Sequence, residues 1–298
     1  MLKDYILYIV LGGIVIVNGI FAIRFFIDYW KHRQEAKEEP GHPILICCSS
    51  FVLYFLSTFG VSDYALSTAF YRATKWVDDK KLPGTLNTQC VLPVAVMALA
   101  YINSIKVDIL TLVLCIVSQT LGSYILPRFV VKLPIKIIRR VIGFGLLGAT
   151  VLIVLGKMNL LPIGGELTGL TGIKLWVTVA LFAVFGAMNT IGVGSYPVTM
   201  ITVYAMGLNP VIAFPIMMGA CTFSVPVGSM EYVRLGQYAR KITFICSFVG
   251  ILGVLLAVFV VKSMNISMLQ WLVAAILVYS GGTMLYQEYG RKKQQEAE

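Results

Sequence analysis

The feature that most constrains this chain is the repetition of apolar segments long enough to cross a lipid bilayer. A helix needs about 20 residues to span the hydrocarbon core, and such windows recur along nearly the whole sequence of 298 residues. Hydrophobic residues make up 58% of the chain and charged residues only 13%, about half the charged share of a soluble domain. A soluble fold could not hide this much apolar surface. The sequence therefore predicts an all-α, polytopic helical membrane protein.

The apolar segments divide the chain into one extra helix and two larger parts. The first apolar stretch, residues 5–30, is too long for a signal peptide and has no small-residue cleavage site after it, so we predict a retained helix. The polar gaps between segments are each too short for a separate domain. We expect a single membrane domain, with residues 1–42 as an extra transmembrane helix and cytoplasmic loop, residues 43–160 as repeat 1 and residues 173–290 as repeat 2.

The two repeats are recognisable from a motif that occurs twice. FLSTFGVSDYAL (residues 55–66) and AMNTIGVGSYPV (residues 187–198) share a threonine, a Gly-Val pair and a tyrosine at the same spacing. A polar loop, a segment with a proline (Pro93 and Pro215) and two long apolar segments follow each motif in the same order. The glycine in each motif interrupts the helical segment. The chain then either continues across the membrane or turns back as a hairpin.

The lysines and arginines distinguish these two arrangements. If each motif segment crosses once, the basic residues divide almost equally between the two faces. If each break is a turn, most of the 24 basic residues collect on one face, as the positive-inside rule requires. The sequence thus predicts two inverted repeats, each containing a broken helical hairpin, which is typical of secondary transporters. The basic loops and the C-terminus are expected in the cytoplasm of a bacterial-type inner membrane, with the N-terminus outside.

Each predicted hairpin tip presents the start of a helix to the membrane centre. The first N–H groups of a helix have no partner within it, and the helix dipole is positive there, so two such ends would attract an anion. Alternatively, the polar residues of the tips only satisfy backbone groups that the break leaves open. The predicted substrate-binding residues are Thr58, Gly60, Val61, Ser62 and Asp63 in the first tip, and Asn189, Thr190, Gly192, Val193, Gly194 and Ser195 in the second.

Asp63 has three competing interpretations. A carboxylate near the bilayer centre costs at least about 2.5 kcal/mol on insertion scales, and it would repel an anion. Asp63 could cap the helix that follows it, or it could bind a coupled proton or cation. A tip shallow enough to be hydrated is the third possibility.

The two proline-bearing segments are candidates for lining a solute path beside the tips. Their polar and thiol side chains are Asn87, Gln89 and Cys90 in the first half, and Cys221 and Thr222 in the second. A kinked packing helix explains these residues equally well. The six cysteines lie in apolar segments without CxxC spacing, so we interpret them mainly as small buried hydrophobes.

Other features receive structural interpretations. Gly143, Gly145 and Gly148, and likewise Gly250 and Gly253, indicate close helix packing. Arg24 and Asp28 are four residues apart in the first helix, so a local pair or snorkelling to the interface accounts for them.

The motifs and the duplicated order of elements resemble the TauE/SafE family of small permeases, also called the sulfite exporter or toluenesulfonate uptake permease family. The resemblance covers most of residues 43–287. It is strongest in residues 181–222, where the run GVGSYP from Gly192 is similar to the family's G-x-G-G-G tip with a proline soon after. In the first half, GVSD from Gly60 keeps only the first glycine. The resemblance implies transport of a sulfur-containing oxyanion or an organosulfonate, such as sulfite or sulfoacetate.

The sequence accordingly predicts a secondary transporter or facilitator of a small anion. A G-x-x-x-x-G-K-[S/T] motif for ATP is absent, so energy would come from gradients or a partner. The alternatives are a membrane-embedded enzyme or sulfur-relay protein, a cation-coupled carrier of another small organic acid, and a structural or sensory subunit. An enzyme is disfavoured because both histidines, His32 and His42, lie in one polar loop, away from any metal-ligand spacing.

We therefore expect no catalytic residues, no metal and no cofactor. The expected partners are a small anionic solute, a coupled proton or cation, and membrane lipids. The net charge of +10 is assigned to membrane topology and anionic lipids and not to nucleic acid. The sequence does not determine the oligomeric state.

Overall fold

The protein is almost entirely helical over the residues that its structure describes. A computed structural model describes residues 2–125, 167–190, 192 and 194–263, together with isolated positions 144, 147, 150, 151, 268, 271, 274, 275, 278, 279 and 282. No β-strand occurs in this part of the chain. The predicted all-α class is confirmed.

The helices are α1 (Leu2–Lys31), α2 (Arg33–Glu38), α3 (Pro43–Thr58), α4 (Asp63–Thr74), α5 (Leu82–Ser104), α6 (Ile109–Ile125), α7 (Gly172–Thr190), α8 (Tyr196–Ala205), α9 (Ala213–Leu235), α10 (Arg240–Ile245) and α11 (Ile251–Ser263). A 3₁₀ turn, Pro210–Ile212, precedes α9, and a π-helical turn, Cys246–Gly250, joins α10 to α11. We refer to the joined helix as α10–α11.

Helix length and surface character identify a multi-pass membrane protein. Within the described residues, five helical stretches are long and apolar enough to cross a membrane: Tyr5–Lys31, Leu82–Ser104, Gly172–Thr190, Ala213–Leu235 and Arg240–Val260. Large apolar side chains project from the outer surface, where Ile173 is 80% exposed and Phe259 is 75% exposed. Exposed apolar area of this extent fits contact with lipid and not with water.

The polar core of the bundle contrasts with this apolar exterior. Buried polar side chains occur in every helix from α3 to α10, and Thr58, Ser62, Asp63, Asn189 and Ser195 lie at or beside the two breaks in the helices. Buried polar groups in a membrane protein are costly and commonly face the interior of the bundle.

In the first broken helix pair, α3 and α4, the chain ends close to the point at which it begins. Gly41, just before α3, packs against the ring of Trp76, just after α4. Lys81, before α5, has its Nζ atom 3.9 Å from Oε1 of Glu39. The chain therefore enters α3 and leaves α4 at the same end of the bundle.

The second pair, α7 and α8, behaves in the same way. Nζ of Lys174, at the start of α7, donates to the carbonyl of Met206, just after α8, at 3.2 Å. The amide of Asn209 donates to the carbonyl of Leu167 at 3.1 Å. The chain therefore also enters α7 and leaves α8 at the same end of this pair.

The remaining long helices pack across the two halves. Helix α6 packs against α7 and α9, while α10–α11 packs against α3 and α5. A Cβ atom built on Gly122 of α6 would stand 1.9 Å from the carbonyl oxygen of Ala183, and one built on Gly253 of α11 would stand 2.4 Å from that of Phe51. Close packing at Gly253 is thereby confirmed; the predicted packing glycines 143, 145 and 148 lie outside the described residues.

The proline pairing drawn from the sequence is wrong. Pro93 lies inside α5, but Pro215 is in the first turn of α9, and the interior proline of α9 is Pro226. The reason is that α9 begins only at Ala213. A proline in a first turn removes no intrahelical hydrogen bond, whereas an interior proline does.

The extra first helix is anchored to the second half of the chain. Nδ2 of Asn18 donates to the backbone carbonyl and the hydroxyl of Thr222 in α9, at 3.1 and 2.9 Å. Near the end of α1, Asp28 accepts hydrogen bonds from Nε of Arg240 at 2.8 Å and from the hydroxyl of Tyr238 at 2.5 Å. Burial and the hydrogen bond to Asp28 raise the pKa of Tyr238. The local interpretation of Asp28 is therefore wrong, because its principal partners come from a distant segment.

Candidate functional site

The two breaks in the helices meet inside the bundle. A Cβ atom built on Gly194, in the second break, would stand 3.1 Å from Oγ of Ser62 and 3.4 Å from Cβ of Tyr64, in and after the first. The side chains of Ser62 and of Ser195 are 2% and 0% exposed. The two predicted tips are therefore in contact with each other and buried inside the bundle.

The first break is built around a glycine and a capping serine. Helix α3 ends at Thr58, and Gly60 has a φ of +96°, a conformation that glycine adopts without steric cost. Ser62 occupies the cap position of α4, where its Oγ accepts from the amide of Ala65 at 3.4 Å. Val61 is only half-buried.

Asp63 is the first residue of α4 and does not occupy the cap position itself. Its carboxylate receives hydrogen bonds from its own backbone N–H and from that of Tyr64. The side chain is 1% exposed, and its Oδ2 atom has no hydrogen-bond partner among the described residues. A shallow, hydrated position for Asp63 does not fit this burial.

The second break uses two glycines. Helix α7 ends at Thr190, and Gly192 and Gly194 have φ values of +82° and +77°. Ser195 precedes α8, but its hydroxyl makes no capping hydrogen bond to the start of that helix. The first turn of α8 therefore has no side-chain cap from Ser195, and the positive end of its helix dipole lies at the second break. Val193 lies outside the described residues.

Two tyrosines that the sequence analysis missed hold the breaks in place. The hydroxyl of Tyr101 in α5 donates to the carbonyl of Thr58 at 2.6 Å, and that of Tyr232 in α9 donates to the carbonyl of Thr190 at 3.1 Å. Both helices are 23 residues long. The signal was present in the sequence, since the spacing from Cys90 to Tyr101 equals that from Cys221 to Tyr232.

Polar groups converge on the sulfur atom of Cys221. Nε2 of Gln119 lies 3.3 Å from this Sγ, and Nδ2 of Asn189 and Oγ of Ser195 each lie 3.4 Å from it. Gln119 comes from α6, Asn189 from the end of α7 and Ser195 from the second break. Thiol sulfur is a weak acceptor, and Nε2 of Gln119 also donates to Oγ of Ser224 at 3.2 Å.

Asn87 bridges the two breaks. Its Oδ1 accepts from the hydroxyl of Tyr64 at 3.0 Å, and its Nδ2 lies 3.3 Å from the carbonyl of Asn189 and 3.4 Å from that of Thr190. A side chain of α5, in the first half of the chain, therefore hydrogen-bonds to the backbone at the second break.

The other predicted path residues divide between the site and its surroundings. Cys90 is buried with its Sγ 3.9 Å from the hydroxyl of Tyr64. Gln89 donates to Ser67 at 2.8 Å and packs under α4. Thr222 is bonded to Asn18 of α1, so its hydroxyl faces the first helix and not the breaks.

Several buried polar atoms near the breaks have no hydrogen-bond partner within the described part of the chain. They include Oδ2 of Asp63, Oε1 of Gln119 and Oγ1 of Thr199. Each of these side chains is at most 1% exposed. Leaving one such atom unpaired costs about 1–3 kcal/mol, which makes these atoms candidates for contact with a bound solute. No group of three His, Cys, Asp or Glu side chains that could hold a metal occurs in the same residues.

Comparisons of this chain with protein-family models, curated proteins and solved structures find no match.

Proposed function

We propose that this protein is a secondary transporter or facilitator that binds a small anion between its two helix breaks. One observation carries the proposal: the two breaks meet inside the bundle, where buried polar atoms such as Oδ2 of Asp63 have no hydrogen-bond partner among the described residues. Polar groups at the core of a membrane protein are costly, and they commonly mark a substrate pathway.

The preference for an anion comes from the second break. Amide donors of Gln119 and Asn189 point at the sulfur of Cys221, and an anion would accept these hydrogen bonds better than a thiol does. The positive end of the α8 dipole, which lies at the second break, adds to the same attraction. Solute bound here would contact Asn189, Ser195 and the backbone of Gly194.

We further propose that the two halves are inverted repeats. The first unit begins at the end of the bundle where α10 starts, and there Glu39 accepts hydrogen bonds from the amides of Arg240 and Lys241. The second unit begins at the end of the bundle where α6 starts, and there the amide of Leu170 donates to the hydroxyl of Thr111. Opposite starting ends are what an inverted repeat requires, and such repeats give a carrier two alternating states.

The membrane orientation follows from the basic residues at the first of these ends. Lys31, Arg33, Lys37, Lys80 and Lys81 adjoin α2 and the loop before α5. The positive-inside rule places this end in the cytoplasm. A bacterial-type inner membrane, with the N-terminus outside, is therefore the proposed location.

The substrate class rests on the resemblance to TauE/SafE permeases, which implies a sulfur-containing oxyanion or an organosulfonate. Because Ser62, Asp63 and Ser195 are at most 2% exposed, the site is closed to both faces in this conformation. Transport then requires that one break unit move away from the other, opening the site to one face at a time.

Thermal stabilisation of the purified protein by anions tests this function. The panel comprises sulfite, thiosulfate, sulfate, sulfoacetate, p-toluenesulfonate, taurine and simple carboxylates. A ligand of the folded state raises the unfolding temperature in proportion to RT ln(1 + [L]/Kd). We expect a selective shift with sulfur oxyanions or sulfonates; an unselective or flat response would contradict the proposal.

A matched pair of variants locates the site. Asn189→Ala should abolish the anion-dependent shift because it removes a donor at the second break. Asn103→Ala changes an exposed asparagine near the end of α5 and should respond like the wild type. An unchanged shift in Asn189→Ala would move the binding site away from the breaks.

A further inference from the structure

The two breaks differ in charge at one matching position. Asp63 precedes Tyr64 in the first break, and Ser195 precedes Tyr196 in the second. Both side chains are buried, at 1% and 0% exposure. The site therefore carries an acid on the side of α4 and a neutral hydroxyl on the side of α8.

The surroundings of Asp63 supply only part of what an ionised carboxylate needs. Backbone N–H groups of the first turn of α4 bond to it, but its Oδ2 atom has no partner among the described residues. Within the part of the chain that the structure describes, the ionisable side chains that interact with it electrostatically are tyrosines and cysteines. They are Tyr54 of α3, Tyr64 and Tyr71 of α4, Cys90 of α5, Tyr196 of α8, Cys221 of α9 and Cys246 of the π-helical turn.

None of these groups offers a positive charge to balance the carboxylate. A proton on Oδ2 would neutralise Asp63 and would turn that oxygen into an O–H donor. The same carboxylate interacts electrostatically with the thiol of Cys221. The donors of the second break converge on the sulfur atom of this thiol. A charge at either place is therefore felt at the other.

We propose that Asp63 binds the proton that accompanies the anion, so that anion and proton occupy the site together. This inference rests on the proposed anion transport and deepens it. The anion binds on the α8 side, with Asn189, Gln119 and Ser195, and the proton binds to Asp63 on the α4 side.

The coupling follows from repulsion inside a site of low dielectric constant. An anion beside an ionised Asp63 is disfavoured, and an anion beside the neutral acid is not. Anion binding therefore strengthens proton binding at Asp63, and by linkage protonation strengthens anion binding by the same factor. A carrier that has bound one monovalent anion and one proton has the same net charge as the empty carrier, so the bound solute adds no charge to the change between the two states.

Proton uptake by the wild-type protein is the decisive measurement. The purified protein, in weakly buffered detergent with a pH-indicator dye, is mixed with thiosulfate or p-toluenesulfonate, which do not titrate near neutral pH. Above the pKa of the acid we expect about one proton taken up per anion bound, and affinity that falls about tenfold per pH unit. Binding without proton uptake and with constant affinity would overturn the inference while leaving anion binding intact.

A matched pair of variants assigns the proton to its residue. Asp63→Asn should bind anion with the same affinity at every pH and take up no proton. Asp79→Asn makes the same change at a side chain that is 79% exposed and should behave as the wild type. If proton uptake persists in Asp63→Asn, another group carries the proton and the inference is wrong.

Two further experimental outcomes can be distinguished from those described above. If neither anion binds at any pH, the anion-transport proposal fails and the inference fails with it. If binding requires sodium ions and no proton is taken up, Asp63 serves a metal cation and the proton assignment is overturned. Because proton uptake is measured on the wild type, the inference remains testable even if Asp63→Asn does not fold.

Discussion

Ser62 and Gly194, one from each helix break, are in direct contact, with only 3.1 Å between Oγ of Ser62 and the place that a Cβ atom of residue 194 would occupy. The two residues belong to different halves of the chain. Their contact makes the two breaks a single site, and it makes the site sensitive to a single added methyl group.

Gly194→Ala should weaken anion binding more than Gly192→Ala. Both residues have positive φ values, +77° and +82°, so each substitution costs about 1–2 kcal/mol of backbone strain. At Gly192, however, the added Cβ meets no atom closer than 3.7 Å. Thermal unfolding in the presence and absence of thiosulfate separates stability from binding.

Gly12→Ala is the control for this pair, since a Cβ atom there meets nothing within 4 Å. Alanine in a helix interior should leave stability unchanged or raise it slightly. Equal anion binding by Gly194→Ala and Gly192→Ala would show that the contact between the breaks is unimportant for the site.

The tyrosine hydrogen bonds to the breaks predict unequal losses of stability. Tyr101→Phe should lower the free energy of unfolding by about 1 kcal/mol, because it leaves the buried carbonyl of Thr58 without this donor. Tyr232→Phe should cost less, because Nδ2 of Asn87 also approaches the carbonyl of Thr190. Denaturant titration of the purified variants measures both losses.

Tyr124→Phe provides the comparison, since Tyr124 is 70% exposed and its replacement should be close to neutral. A larger loss for Tyr232→Phe than for Tyr101→Phe would contradict the role assigned to Asn87.

The proposed topology predicts where a reporter fused to the chain is found. A fusion after Lys80 should score as cytoplasmic, and a fusion after Lys106 as external. Lys80, in the loop before α5, is a better fusion point than Gly84, because Gly84 is packed against the carbonyl of Gln237. Alkaline phosphatase activity paired with green fluorescence at each point measures the location; an external score after Lys80 would exclude the inverted hairpins.

The anchor between α1 and α10 predicts a large effect of one substitution. Arg240→Gln should lower the free energy of unfolding by about 3 kcal/mol, because it leaves Asp28 as a partly buried charge without this partner. Arg72→Gln removes an exposed ion pair with Asp79 and should cost less than about 1 kcal/mol. Thermal unfolding compares the two, and similar losses would show that α1 is held mainly by its apolar contacts.

Much of the fold could be predicted from the sequence because the relevant signals are local. The apolar segment predicted to follow the one with Pro93 corresponds to α6, and the two breaks fall at Gly60 and Gly192 as expected. Hydrophobicity sets where a helix lies in the bilayer, and glycine sets where it can be interrupted. Both properties belong to a few consecutive residues.

The partners of polar side chains could not be predicted in the same way. Asp28 was paired with Arg24, four residues away, whereas in the folded protein it binds Arg240. Thr222 was placed on the path, but it bonds to Asn18. Neither contact is visible in the sequence, because each depends on how α1 packs against the second half.

The helical membrane class and the positions of the two breaks could be predicted from the sequence, since they follow from local hydrophobicity and backbone freedom. The folded structure was needed to show that Ser62 meets Gly194, that Tyr101 and Tyr232 bond to the breaks, and that Oδ2 of Asp63 has no partner among the described residues. A hydrogen bond requires two groups within about 3.5 Å. For groups from distant segments, that distance is set by helix packing and not by any local pattern.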